Sequence, residues 1–220
     1  MVLQQPATAV AGVSYVLTVY NKAPQLPLVI EGLRRQQGGF EREFIFVDDG
    51  SSDGSAQLIE REARDLPGLT VLRQANAGPS WALNAGLARA RLPFIKALDG
   101  DDMLTPRATE VLLGAVAETG CGVAYGRFLD FDPAAAGDPY ALFQAALDRV
   151  PPPAVRIERP LQRLIEGHFF GNPSHWLARR DLPLAVGGCD PRLFVQDVSI
   201  DLRLAARSGF ALVDYPVFLS

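Results

Sequence analysis

The chain has 220 residues, 48% of them hydrophobic and 21% charged, which fits one ordinary globular unit and excludes a disordered one. Its net charge of −4 excludes a nucleic-acid surface, because a phosphate backbone needs a basic stripe to bind. Its two cysteines, Cys121 and Cys189, make neither a disulfide framework nor a zinc site and read as buried thiols.

The first half alternates apolar runs with helical patterns. Val13 to Thr18 reads as a strand, followed by a helix from Leu26 to Gln37 with Leu26, Val29, Ile30 and Leu33 on one face. Glu43 to Asp48 is the second strand, and Ser52 to Arg64 a helix opened by a Ser/Asp/Gly cluster able to cap it. Leu69 to Leu72 is a short strand, and Gly78-Pro79 opens a helix to Ala90 with proline at its first position. Pro93 to Leu98 is the fourth strand, Pro106 to Thr119 a helix and Gly122 to Tyr125 the fifth strand.

The second half is less regular. Asp130 to Pro153 reads as an excursion with a short helix from about Pro139 to Arg149. A strand follows at His175 to Ala178, then a helix from Asp197 to Ser208, and closing strands at Ala211 to Val213 and Pro216 to Leu219. Strands each followed by a helix predict parallel crossovers and an open sheet covered on both faces. Ligands of such sheets bind beyond the carboxyl ends of the strands. The polar residues fall there: Thr18, Tyr20 and Asn21, then Asp48 and Asp49, then Asp99 and Asp101.

Leu98-Asp99-Gly100-Asp101-Asp102 is the most telling of these segments. It crowds three carboxylates at the mouth of a buried strand, where charge is costly unless paired or bound to a metal. A divalent cation between Asp99 and Asp101 relieves that crowding and, with coordination positions left open, grips a diphosphate. Lys96 precedes these acids, which fits poorly with a receiver domain, whose lysine comes later in the chain.

Five segments, in this order, resemble the family 2 glycosyltransferases with the GT-A fold. They are Ser14 to Asn21; Val47-Asp48-Asp49-Gly50-Ser51-Ser52-Asp53-Gly54-Ser55; Asn76 to Leu87, with Gly78-Pro79 and Asn84; Leu98 to Asp102; and Gln196-Asp197 followed by Leu202-Arg203-Leu204. The resemblance runs from about Val13 to the end. It implies an α/β, Rossmann-like, mostly parallel sheet with helices on both faces and a small antiparallel part on the acceptor side. It also implies a single domain over residues 1–220, with about 13–125 binding the nucleotide-sugar and about 126–220 binding the acceptor.

The implied activity is inverting transfer of a sugar from a nucleotide-sugar, UDP-linked, to a hydroxyl of a saccharide or other acceptor. Polysaccharide biosynthesis for the cell envelope is the implied setting. By resemblance Thr18 and Tyr20 flank the uracil and ribose, with Asn21 beside them. One of Asp48 and Asp49 accepts the uracil imide N–H, and either fits; cytosine lacks that donor and would leave the carboxylate unpaired. Gly78 and Asn84 lie beside the nucleotide, Asp101 holds Mg²⁺ or Mn²⁺, and Asp99 contacts the ribose, the metal or a metal-bound water. Asp197 is the base. Asp102 faces solvent or caps the next helix, and Arg203 is a structural ion-pair partner.

The chain departs from the family at Gln196, where glutamate is usual, and at Leu83, where arginine is frequent. Those departures favour the alternative, a non-catalytic nucleotide- or sugar-binding protein of the same fold. A nucleotidyltransferase is disfavoured by the absence of a Gly-rich basic loop after the first strand. A processive synthase is disfavoured by the absence of a Gln-x-x-Arg-Trp motif and of any run of ~18 apolar residues. Little chain follows the last strand, so the acceptor is small or a tail that selects it is missing. His168 and His175 read as packed or hydrogen-bonded histidines, and Trp176, Phe169 and Phe170 as core or as a platform for an acceptor sugar. No cation precedes Lys22, so no secretory leader is expected. The cytoplasm is the expected location, with peripheral membrane contact left open.

Overall fold

A computed structural model describes residues 11–130, 147, 153–167, 170–193 and 196–219, without the side chain of Gln196. The helix expected near 139–149, His168 and Phe169 fall outside the described residues. The first half runs β1 (Gly12–Val19), α1 (Leu26–Arg34), β2 (Glu41–Asp48), α2 (Ser55–Glu62), β3 (Thr70–Arg73), α3 (Pro79–Arg89) and β4 (Phe94–Asp99). Then come β5 (Met103–Leu104), α4 (Ala108–Thr119), β6 (Val123–Leu129), β7 (Val155–Glu158), α5 (Pro160–Ile165), β8 (Trp176–Arg179), α6 (Asp181–Ala185), α7 (Gln196–Ala205) and β9 (Phe210–Leu219).

These strands form one nine-stranded sheet, in the order β3-β2-β1-β4-β8-β6-β9-β5 with β7 on β9. The four strands β3, β2, β1 and β4 pair in parallel. β8 then inserts antiparallel between β4 and β6, so β6 points the same way as β4. The carboxyl ends of β1, β2, β4 and β6 therefore share one rim. In β1 alternate residues serve opposite faces: Tyr15 and Leu17 pack with α1 and α4, and Val16 packs with Leu83, Leu87, Ile200 and Leu204 of α3 and α7. A strand buried on both faces reads as a near-continuous apolar run, which is how it is visible in the sequence.

Several boundaries differ from expectation for identifiable reasons. α2 starts at Ser55 rather than Ser52, because Gly54 is left-handed (φ 88°) and the Asp53 carboxylate accepts from Ser55 N and Ala23 N. The two closing strands are one, β9; its Pro216 is accommodated at a shift of register against Arg127, where proline costs no ladder bond. His175 lies in a 3₁₀ turn, Pro173–His175, ahead of β8. β5, β7, α5 and α6 were not expected, being six residues or shorter and without a clear period. Trp81, in α3, is exposed. Cys121 and Cys189 are free and buried, as expected. Among the described residues no helix is long and apolar enough to cross a membrane.

Gly86 sets how closely α3 sits on the sheet. A Cβ there would run into Val16 Cγ1 and meet Val47 Cγ2 at 3.2 Å. Gly86→Ala is expected to lower stability by about 1–3 kcal/mol through overpacking, despite the better helix propensity of alanine. A fall in the urea midpoint at unchanged slope checks this.

Candidate functional site

A cleft of about 540 Å³ opens at the shared rim, lined by Thr18, Tyr20, Lys22, Asp49, Asp99 and Asp101, with Gly78 also in its wall. Thr18 and Asp99 are register partners across β1 and β4, and Thr18 Oγ1 donates to Asp99 Oδ1 at 3.2 Å. Gly100 keeps the next turn pressed on β1, since a Cβ there would stand 2.9 Å from Thr18 O. Gly78 has φ +94° with nothing within 4 Å of a built Cβ, so backbone is offered to the cleft in a conformation glycine tolerates best.

The structure separates Asp48 from Asp49. β2 ends at Asp48, and of the two only Asp49 lines the cleft. It accepts from Gln74 Nε2 (2.7 Å), Ala77 N (3.0 Å) and Gly78 N (2.8 Å), which fixes the loop leading into α3. Asp48 is buried outside the wall, with Oδ1 lacking a hydrogen-bond partner.

Asn21 and Asn84 are not among the residues lining the cleft, and both side chains are engaged in bonds to distant segments of the chain. Asn21, left-handed at φ 52°, donates its N–H to Ser51 Oγ at 2.9 Å and accepts from Ser52 N at 2.8 Å. It ties the loop after β1 to the loop after β2. The Asn84 amide is used at both ends by one residue, donating to Cys189 O at 2.9 Å and accepting from Cys189 N at 2.8 Å. Gly188 (φ +66°) is bare because a Cβ there would strike Asn84 Oδ1.

Asp99 and Asp102 diverge. Burial, then the charges of Asp102, Asp197 and Asp101, push the Asp99 carboxyl up to about 7, against the Thr18 hydrogen bond. Asp197, in the first turn of α7, is not in the cleft wall, yet it is near enough for its charge to act on Asp99. Asp102 is buried and accepts from Asn172 Nδ2 at 2.9 Å, which corrects the expectation that it faces solvent or caps a helix.

Beneath the loop lies Lys96, fully buried, donating from Nζ to Ser174 O at 2.5 Å and Ala97 O at 2.8 Å. Burial lowers its pKa to about 7 against the pull of Asp102 and Asp99. Ser174 Oγ in turn accepts from Asp99 N at 3.0 Å. His175 bonds Asn172 Oδ1 at 3.0 Å and packs edge-on against Phe128 and Phe218, a packed histidine held near pKa 4 by burial and then by the Lys96 charge.

The turn before α7 is pinned from both sides: Arg203 donates to Val186 O at 2.9 Å and to Asp190 Oδ2 at 3.1 Å, and Ser199 Oγ accepts from Asp190 N at 2.6 Å. Arg203 is thus the structural partner expected. Trp176 is core, and Phe170 packs on Tyr125 and Phe210.

The family model "Glycosyl transferase family 2" matches residues 14–182. The chain belongs to glycosyl transferase family 2. Relatives at the sequence level are glycosyltransferase YibD of Escherichia coli, 32% identical over 50% of this chain and 32% of that protein, and the minor teichoic acid biosynthesis protein GgaA of Bacillus subtilis, 35% identical over 44% of this chain and 23% of that one. The chain thus spans a third or less of the length of these two relatives. Among solved structures, S. aureus TarS 1-349 in complex with UDP-GlcNAc shares the fold, with TM-score 0.76 at 17% identity over 94% of this chain and 58% of that one. Mannosyltransferase PcManGT from Pyrobaculum calidifontis, in complex with GDP-Man and Mn2+, matches with TM-score 0.64 at 18% identity over 97% of this chain and 57% of that one.

Three elements of this family 2 site were missed in the sequence. Gln74 carried no signal. Lys96 counts in the sequence only for its order relative to the acids, although a lysine between isoleucine and alanine in a buried strand is itself a cue to a buried charge. Asn172 and Ser174 show their role only once β8 is threaded next to β4.

Proposed function

We propose that this chain transfers a sugar from a UDP-sugar to an acceptor hydroxyl with inversion, using a divalent cation. The observation that carries the reading is the convergence of Asp49, Asp99 and Asp101 in one cleft at the strand ends, with Asp197 within electrostatic reach of Asp99. The UDP-GlcNAc complex of the fold neighbour TarS supports a nucleotide-sugar as the donor.

Thr18 and Tyr20 flank the base and ribose, and Asp49 takes the imide N–H with the acceptor capacity its three donors leave; a carboxylate offers about four lone-pair sites. Asp48, buried outside the wall, is relieved of that role. Gly78 brings backbone to the donor. Asn21 and Asn84 position loops. Asp99 and Asp101 would hold the metal: their hard oxygens suit Mg²⁺ or Mn²⁺, and the crowding that raises Asp99 is what a cation relieves. Among the described residues no group of three or more His, Cys, Asp or Glu is assembled for an ion, so the remaining ligands would come from diphosphate and water. When bound, the ion supplies Lewis acidity to the departing diphosphate.

Asp197 accepts the acceptor's proton as the new bond from that oxygen to the anomeric carbon forms. The bond from that carbon to the diphosphate oxygen breaks on the opposite face, and its electron pair leaves with UDP. Residues 13–125 serve the donor and 126–220 the acceptor, within a single domain. A cytoplasmic location and a role in envelope polysaccharide synthesis belong to the same proposal.

The test is a thermal-shift series with UDP, GDP and TDP, with and without Mn²⁺, followed by UDP release from UDP-sugars. Stabilisation by UDP with Mn²⁺ and slow UDP release are expected. Failure of every nucleotide to stabilise the chain overturns the donor assignment, and tight UDP-sugar binding without any turnover leaves a binding protein. Asp49→Ala is expected to weaken UDP binding about tenfold or more, as loss of a charge-assisted bond does, read by calorimetry.

A further inference from the structure

The cleft wall carries three carboxylates and, among the described residues, a single cation, Lys22. Its ammonium donates to Asp101 Oδ2 at 2.5 Å, with the two side chains 33% and 40% exposed. Its backbone N–H donates to Ser55 Oγ at 3.0 Å, which anchors the root of the side chain at the start of α2. The carboxylate best placed to receive a metal is therefore already neutralised by a resident charge. α3 offers no cation to replace it in the wall, since Leu83 is buried.

We infer that Lys22 and the divalent cation compete for Asp101, and that the donor diphosphate ends the competition by drawing the Lys22 ammonium onto itself. Metal and donor then load as one event. This rests on the donor reading of the same cleft. The physical terms favour the exchange. An exposed ion pair is worth little, so releasing it costs little. Lysine is a point charge with three donors on a flexible stem, so it can change partners while Ser55 holds its backbone still. A diphosphate offers several anionic oxygens in place of one carboxylate, and charge-assisted bonds to it are the stronger kind. A diphosphate entering alone would meet a wall with net negative charge, and a metal entering alone would have to evict Lys22. Together they satisfy Asp101, Lys22 and each other.

Calorimetry on the 220-residue chain decides it. In the wild type, saturating UDP should strengthen Mn²⁺ binding, and Mn²⁺ should strengthen UDP binding by the same factor, as linkage requires. Lys22→Met should tighten Mn²⁺ binding in the absence of nucleotide by about fivefold, the ceiling for an exposed pair, while weakening UDP by about tenfold. Adding Asp101→Asn to Lys22→Met should abolish the gain in Mn²⁺ affinity. An unaltered melting temperature for Lys22→Met shows that the fold is intact. If Lys22→Met leaves nucleotide-free Mn²⁺ affinity unchanged, or leaves UDP affinity unchanged, the exchange is overturned while the donor reading stands. If the wild type binds neither UDP nor Mn²⁺, the donor reading falls first and takes the exchange with it.

Discussion

Asp197→Asn is expected to lower sugar transfer by about 10²–10⁴-fold, the usual contribution of a general base, with UDP affinity unchanged. The substitution is chosen for what it preserves. Asparagine is as good as aspartate near a helix start, so if Asp197 serves only to stabilise the first turn of α7, the variant behaves as wild type. It is isosteric and cannot accept a proton at neutral pH. The proposed reading therefore separates kcat from donor binding: initial rates with a UDP-sugar and acceptor fall, and the calorimetric Kd for UDP holds. Full turnover in the variant would remove Asp197 from the proton transfer. A parallel loss of UDP affinity would mean that it shapes the donor cleft through Asp99, whose carboxyl it already influences.

One helical turn further along α7, Asp201→Asn is expected to stabilise the protein, more so as pH rises. Asp201 is buried and receives the Tyr125 hydroxyl. Burial, then the charge of Asp197, raises its pKa from 3.8 to about 8, against the Tyr125 hydrogen bond. Below about pH 4 the group is protonated in both folded and unfolded chains and costs nothing. Between there and pH 8 the unfolded chain ionises while the folded one stays protonated, so the folded state loses ground as pH rises; above pH 8 the loss levels off. Each tenfold difference in protonation is about 1.4 kcal/mol, so the advantage of the asparagine variant reaches a few kcal/mol at pH 8, on the order of 2–4. Asparagine still offers an oxygen to Tyr125, so the bond survives. Urea midpoints of the two proteins from pH 4 to pH 8 should diverge steadily. Parallel curves would show that Asp201 is ionised in the fold and paid for by partners other than Tyr125.

The parallel half of the sheet was legible because β1, β2 and β4 are continuous apolar runs ending in polar residues, and because Gly-Pro and Ser/Asp clusters mark where α3 and α2 begin. The same logic places Thr18, Tyr20, Asn21, Asp48, Asp49, Asp99 and Asp101 at one rim, and of these Thr18, Tyr20, Asp49, Asp99 and Asp101 line the cleft. What stayed hidden depends on partners distant in the chain. The bonds that Cys189, 105 positions later, makes to both ends of the Asn84 amide leave no local trace in the sequence. Asp102 looks solvated until Asn172 comes over it. β8 enters the sheet from late in the chain, antiparallel between two earlier strands, β4 and β6, and no local period announces that. Which of Asp48 and Asp49 faces the cleft depends on where β2 ends, and the sequence does not mark that end.

The Asn84 amide has a mechanical consequence. It bolts the middle of α3, the helix whose start lines the cleft, to Cys189, whose neighbour Asp190 is fastened to α7 by Arg203 and Ser199. Under the proposed function, the span between the donor cleft and Asp197 is thereby set by a chain of short covalent and hydrogen-bonded links. A change that tilts either helix alone would have to break the Asn84 amide's two bonds to Cys189.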